Sequence, residues 1–380
     1  MATAIVNARV LTADGWRDDL ATIVEGERIR DLVATPQVPA DARIHDLGGG
    51  MLLPGFIDCQ VNGGGGVLFN DRPDVDGIRT IGAAHRRFGT TGFLPTLISD
   101  SPEKIRAAIA AVDAAIAEGV PGVLGIHLEG PYLSRERRGV HAAGFLHTPD
   151  AEELRQAAAL RSGKTLLTMA PECVAPDAIR RLADAGVIVA AGHSNADYAT
   201  VRAALDAGVR GFTHLFNAMS PLASRAPGMV GAALDDPESW CGVIVDGHHV
   251  HPASLRVALK AKPRGKLLLV TDAMPPVGAE DPSFDLNGET ITARDGICQT
   301  ANGTLAGSAL CMIDAVRNAV AMLGVPLEEA VRMASAYPAD FLGLAGTHGR
   351  IAPGLRADFT AVDAGLRVTE TWIGGVSSRT

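Results

Sequence analysis

Eight short apolar runs divide the middle of the chain, and each stops at a turn or a polar residue. They are 51–59 (MLLPGFIDC), 91–98 (TGFLPTLI), 122–130 (GVLGIHLEG), 165–171 (TLLTMAP), 187–193 (VIVAAGH), 209–217 (VRGFTHLFN), 240–249 (WCGVIVDGHH) and 266–273 (KLLLVTDA). Runs of this length, bounded by Gly, Pro and Asn, read as buried strands. Helical stretches lie between them, at 74–88, 102–119, 151–161, 175–186, 196–208 and 251–261. Proline opens the second, alanine fills it, and glycine closes several. Two further helices follow at 307–323 and 327–344. Eight buried strands with helical crossovers predict an α/β fold, a (β/α)8 barrel, in a region close to the usual ~250 residues. A doubly wound open sheet is the rival. The strand count and the polar residues at the ends of several different strands favour the barrel.

Outside this region the pattern shortens to strands of a few residues broken by glycine turns. Residues 1–50 and 347–380 read as one small β-domain built from both chain ends, with the barrel spanning 51–346. A segment near 280–305, with Asn-Gly and Asp-Gly turns, reads as a β-hairpin insertion.

Charge and composition narrow the function. The net charge of -9, without a basic run, speaks against nucleic acid. Aromatic residues make up only 4%, too few for a base-stacking surface. Five scattered cysteines with no CxxC suggest a reduced, intracellular chain. No signal-peptide pattern and no apolar run of ~18 residues occurs, so a cytoplasmic protein with no membrane span is expected.

The candidate chemistry sits at the strand ends. In IHLEGPY, His127 and Glu129 share one face of the third strand, and Gly-Pro stops it. Glu129, His193 and His214 end the third, fifth and sixth strands, so a barrel would bring them together at its C-terminal face. Two imidazoles and a carboxylate make a catalytic metal set with an open position for water. Taken singly, each histidine reads as well as a satisfied core or surface residue. Asp272 ends the eighth strand and reads either as a general base or as a turn cap. His248 and His249 follow GVIVDG, one expected toward solvent and the other toward substrate. Asn217 and Arg225 lie in the polar loop after the sixth strand. Arg225 could grip a phosphate or carboxylate, or form a surface ion pair. Gly63 to Gly66 could cradle a phosphate or simply turn the chain.

The ordered motifs LPGFIDCQVNG, FLPTLI, GIHLEGPYLS, RRGVHAAGF, AGHSNA, THLFNAMSP, VDGHHV, TDAMPPVG, GTLAGSAL and GLRADF cover nearly the whole chain. Together they resemble the N-acetylglucosamine-6-phosphate deacetylases of the metal-dependent amidohydrolase superfamily. The resemblance implies a (β/α)8 barrel with a small β-sandwich from both termini. It also implies hydrolysis of the acetamide of N-acetyl-D-glucosamine 6-phosphate to D-glucosamine 6-phosphate and acetate. It makes Glu129, His193 and His214 metal ligands and Asp272 the acid/base. It makes His141, Asn217, Ala218, Arg225, His249, Leu305, Ala306 and Gly307 substrate contacts, with Arg225 on the phosphate, and it implies a homodimer.

The chain departs from that pattern at one place. Where many amidohydrolases carry H-x-H, it has Gln60 and Asn62. Neutral amides are poor zinc ligands, so one divalent metal per subunit is expected rather than two. Zn2+ is the first expectation, and Fe2+, Mn2+ and Co2+ also suit the donor set. Gln60 is expected near the metal-bound water, and His127 behind Glu129 or in packing. The competing readings are deacetylation of N-acetylgalactosamine 6-phosphate and a non-catalytic sugar-phosphate-binding protein.

Overall fold

The structure is a computed structural model and describes residues 2–379. Eight parallel strands form the central sheet: β1 (Phe56–Val61), β2 (Thr90–Ile98), β3 (Gly125–Glu129), β4 (Lys164–Met169), β5 (Ile188–Ala191), β6 (Val209–Phe212), β7 (Trp240–Val243) and β8 (Leu267–Leu269). They pair in chain order from β1 to β8. Residues just past the first and last strands bring the two edges together. Asp272 N–H donates to the Gln60 carbonyl at 3.0 Å, and Asn62 N–H to the Ala273 carbonyl at 2.9 Å. The result is a nearly closed (β/α)8 barrel. β2, buried at every position, shows why these strands read as continuous apolar runs: helices cover the outside and side chains fill the inside.

The helices form where capping and periodicity predict them. Ser101 caps Pro102–Ala117 through its hydroxyl, and Asp150 makes a full capping box on Ala151–Ala157. The stretch 327–344 is two helices, Leu327–Ala334 and Ala336–Phe341, broken at Ser335. One helix, Gly228–Asp235, escapes the sequence pattern. Its residues from Gly228 to Ala233 are all buried, so no polar face marks its period.

The terminal strands form a separate mixed sheet. Arg43–Pro54 pairs in parallel with Thr3–Thr12 and antiparallel with Phe359–Val362, so both chain ends meet on it. The 280–305 segment contains two hairpins. Ser283–Leu286 pairs with Glu289–Thr292, and Ile297–Gln299 with Leu305–Ser308. The second is stitched to the barrel rim: Ser308 N–H donates to the Asp272 carbonyl, and Met274 N–H to the Ser308 carbonyl, both at 2.9 Å.

Candidate active site

The C-terminal ends of β3, β5, β6 and β8 deliver one residue each to a shared point. Glu129 is the last residue of β3, while His193 and His214 stand two residues past β5 and β6. Asp272 stands three past β8. His193, His214 and Asp272 all take left-handed backbones, with φ of 48°, 32° and 53°. Non-glycine residues seldom do so, and such strain collects at functional sites. Each kink stops the strand just below the residue and turns its side chain over the barrel mouth. Gly192 precedes the first kink because an added Cβ would lie 2.8 Å from Thr168 Cγ2.

The convergence is tight. His214 Nε2 lies 3.1 Å from Glu129 Oε1 and 3.0 Å from His193 Nε2, and His193 Nε2 lies 3.3 Å from Glu129 Oε1. Ligand atoms around a tetrahedral zinc with bonds near ~2.05 Å stand roughly 3.3 Å apart, so the three donors suit one divalent ion. All three residues are buried. His193 Nδ1 donates to the Arg137 carbonyl at 2.8 Å, which leaves its Nε2 lone pair for a metal. Burial opposes charge on His214, yet the adjacent Glu129 carboxylate raises its pKa. Glu129 itself is held well below the usual carboxylate range: burial pushes up, and the two imidazoles outweigh it. Protons and a metal therefore compete for this set.

The amides of β1 complete the arrangement. Asp58 and Gln60 share one face of β1, and Asn62 follows one residue past its end. Gln60 Nε2 donates to Glu129 Oε1 (3.1 Å) and Asp272 Oδ1 (3.0 Å), and Asn62 Nδ2 to the same Asp272 oxygen (2.6 Å). Carboxylates only accept, so these contacts require the amide nitrogens to face them. Gln60 and Asn62 thus occupy the H-x-H positions as hydrogen-bond donors. Asp58 accepts from Thr271 Oγ1 at 2.5 Å and braces the end of β8 from below. Burial, then the Glu129 charge, raises the pKa of Asp272, which makes its carboxylate a better proton acceptor.

His141 faces the cluster edge-on, 4.6 Å from the His193 ring. Its Nδ1 accepts from Ser99 N–H (3.2 Å), so the proton of the neutral ring is on Nε2. Burial keeps that ring neutral, with a pKa down to about 3. His249 Nδ1 pairs with Asp246 Oδ2 at 2.6 Å. Burial pushes the Asp246 carboxyl up, but His249 holds it down at about 2.

These groups line a cavity of about 350 Å³. Its walls contain Glu129, His141, His193, His214, Asn217, Ala218, His249, Asp272, Leu305 and Gly307. Ala306 is buried in the apolar cluster beneath, and Gln60 lies below the floor against Glu129 and Asp272. Arg225 is exposed in the loop 221–226 and is not among the lining residues. Gly63 and Gly64 pair with Val67–Leu68 in a small hairpin and are not among the lining residues, the turn alternative. His248 is exposed and His249 lines the pocket.

Sequence reasoning missed Ser99, which fixes the His141 ring, and Arg137, which lines the wall. Ser99 lies one residue beyond β2, so its strand-end position was the available signal. Arg137 lies in the quoted RRGVH motif, with nothing local to mark its direction.

A family model described as the amidohydrolase family matches residues 51–378. The chain is 44% identical over 374 residues to an N-acetylgalactosamine-6-phosphate deacetylase of Shewanella sp. (strain ANA-3), covering 97% of this chain and 94% of that one. The crystal structure of N-acetylglucosamine-6-phosphate deacetylase from Pasteurella multocida superposes with a TM-score of 0.96 at 37% identity, covering all of both chains. A mutant of the Mycobacterium smegmatis N-acetyl-D-glucosamine-6-phosphate deacetylase, in complex with N-acetyl-D-glucosamine 6-phosphate, superposes with a TM-score of 0.90 at 34% identity, covering 100% of this chain and 99% of that one.

Proposed function

The chain belongs to the amidohydrolase family, and on that premise we propose that it hydrolyses the acetamide of N-acetyl-D-glucosamine 6-phosphate to D-glucosamine 6-phosphate and acetate. The observation that carries this reading is the meeting of Glu129, His193 and His214 beside Asp272 at the barrel mouth.

Glu129, His193 and His214 would hold one divalent metal, with Zn2+ our first assignment. When bound there, such an ion makes water acidic and polarises a carbonyl oxygen. Asp272 then takes a proton from the attacking water, held in place by Asn62 and Gln60. The water oxygen bonds to the acetyl carbon. The Nε2–H of His141 donates to the carbonyl oxygen as negative charge develops there. Asp272 returns its proton to the sugar nitrogen, the C–N bond breaks, and acetate and the amine leave. Asn217, Ala218, His249, Leu305 and Gly307 orient the sugar, and Ala306, buried between the last two, holds their strand in place. Exposed Arg225 reaches phosphate across a homodimer interface, with the exposed Leu222 on the same loop contributing to it. We place this dimer in the cytoplasm. Among the described residues no helix is long and apolar enough to cross a membrane.

A second reading, the galactosamine epimer, is favoured by the 44% identity to the Shewanella enzyme. Acetate release from metal-quantified protein, with both N-acetylamino-sugar 6-phosphates and unphosphorylated N-acetylglucosamine side by side, tests both. Preference for the gluco phosphate supports the first reading, and preference for the galacto phosphate replaces it with the second. No turnover of any sugar by metal-loaded protein rejects the substrate class.

A further inference from the structure

One side of the cavity is apolar and has no part in the mechanism above. Ile98, Val140 and Met274 line it. Each stands beside a group that acts on the acetamide. Ile98, the last residue of β2, precedes Ser99, whose N–H fixes the His141 ring. Val140 precedes His141, and Met274 stands two residues past Asp272. Ile98 and Met274 are buried, and the half-buried Val140 packs with them in one apolar cluster.

The two hairpins of the 280–305 segment hold this side from behind. Phe284, Leu286 and Ile291 of the first, with Cys298 and Ala306 of the second, belong to the same cluster. Asn287 Nδ2, in the turn of the first hairpin, donates to the Val140 carbonyl at 2.7 Å. Met274 N–H donates to the Ser308 carbonyl at 2.9 Å. Gly307 gives the Met274 side chain its room, since an added Cβ would lie 2.5 Å from Met274 Cγ. Side chains packed this closely cannot retreat far from a larger ligand.

Strand order gives the apolar side its direction. In a barrel of eight strands paired in chain order, β2 faces β6 and β3 faces β7. Asn217 and Ala218, which orient the sugar, follow β6, and His249 follows β7. The acetyl carbon carries its nitrogen, oxygen and methyl in one plane. With the nitrogen toward the sugar and the oxygen toward His141, the methyl points to the β2–β3 side, where Ile98 and Val140 stand. A methyl group gains by leaving water for an apolar wall, whereas a hydroxyl would lose its hydrogen bonds there.

We propose that Ile98, Val140 and Met274 are specificity-determining residues that receive the acyl methyl and exclude acyl chains longer than acetyl. The proposal rests on the amino-sugar-phosphate reading above. It also gives the two hairpins a task, which is to hold the acyl wall against the reacting carbonyl.

The test is release of the free amine from N-formyl, N-acetyl, N-propionyl and N-butyryl amino-sugar 6-phosphates of the epimer that wild type prefers. Metal-loaded wild type, Met274→Ala and Val140→Ile are compared. One methylene in a fitted apolar pocket is worth about 10- to 200-fold in kcat/KM. Wild type should therefore lose at least about 10-fold from acetyl to propionyl. Met274→Ala should raise the propionyl-to-acetyl ratio by about 10-fold. Val140→Ile adds a methylene at a half-buried position and should instead raise the formyl-to-acetyl ratio. Metal content and circular dichroism should match wild type. If Met274→Ala fails to fold, Val140→Ile decides the matter. Wild type that cleaves propionyl and butyryl as readily as acetyl overturns the proposal. So do variants that change every acyl substrate by the same factor, because the wall would then pack the sugar or the fold. Turnover of the acetyl substrate without discrimination removes the acyl wall and leaves the deacetylase reading standing. No turnover of any acyl substrate removes both.

Discussion

Two buried polar clusters lie one above the other in the barrel, with β3 contributing to both. Glu129 serves the upper cluster with His193, His214 and Asp272. His127, two residues earlier on the same face, serves the lower one with Thr96, Thr168 and Thr213. In the lower cluster every partner is neutral and every contact is mutual. His127 Nδ1 meets Thr96 Oγ1 at 3.2 Å and its Nε2 meets Thr168 Oγ1 at 2.8 Å, while Thr168 meets Thr213 at 2.6 Å. Burial holds His127 neutral, with a pKa near 4. In the upper cluster two imidazole Nε2 atoms and a carboxylate oxygen aim at one another, with both histidines on left-handed backbones. Hydroxyls can donate and accept, so they close a network. A set of converging acceptors cannot close without a proton or a cation. Burial, a histidine and strand β3 are shared by the two clusters, and satisfaction separates a structural layer from a reactive one.

The sharpest test of this contrast removes the convergence. Glu129→Gln or His193→Ala should take metal content from one per chain to near zero and abolish acetate release. Elemental analysis alongside activity checks this, and full activity in metal-free protein would break the comparison. Asp272→Asn comes next, lowering kcat by about 10³-fold with metal content and circular dichroism unchanged. Loss of folding in this variant would make Asp272 a structural cap instead.

The Asp58 brace predicts a pH dependence of stability. Burial raises its pKa from 3.8 to about 7. The folded chain then keeps a proton that the unfolded chain releases, so the contribution of this group to stability is greatest below pH 4. It falls as pH rises to about 7 and levels off above. The drop from this one group is at most about 4 kcal/mol, at ~1.4 kcal/mol per pH unit. Asp58→Asn should flatten the profile in urea titrations across that range. The smallest effect belongs to the lower cluster. His127→Ala should cost about 2 to 4 kcal/mol by leaving a cavity and unpaired hydroxyls, while changing kcat by less than about tenfold. A loss of turnover as large as that of Asp272→Asn, with stability intact, would erase the distinction between the clusters.

Much of the barrel was legible because its physics is local. Each buried strand is a short apolar run, and each helix a periodic stretch with a cap, so the eight strands could be counted from the chain. The helix Gly228–Asp235 was not legible, because burial on all sides removes the polar face that reveals a period. The metal-binding residues were visible as polar strand ends, since a (β/α)8 barrel gathers such ends at one face. Asp272 was placed by the same logic.

What the chain alone determined was which residues end strands and which chemistry they carry. Tertiary structure decided which of them meet and in what protonation state. The His141 tautomer depends on Ser99, 42 positions away in the chain. The aim of Asp272 depends on Asn62, 210 positions away. Arg137 and Arg225 are both loop arginines in sequence, yet one lines the cavity and the other faces solvent. Strand formation follows from neighbours along the chain. Hydrogen-bond direction, desolvation and access to a cavity follow from neighbours in space, which only closure of the barrel brings together.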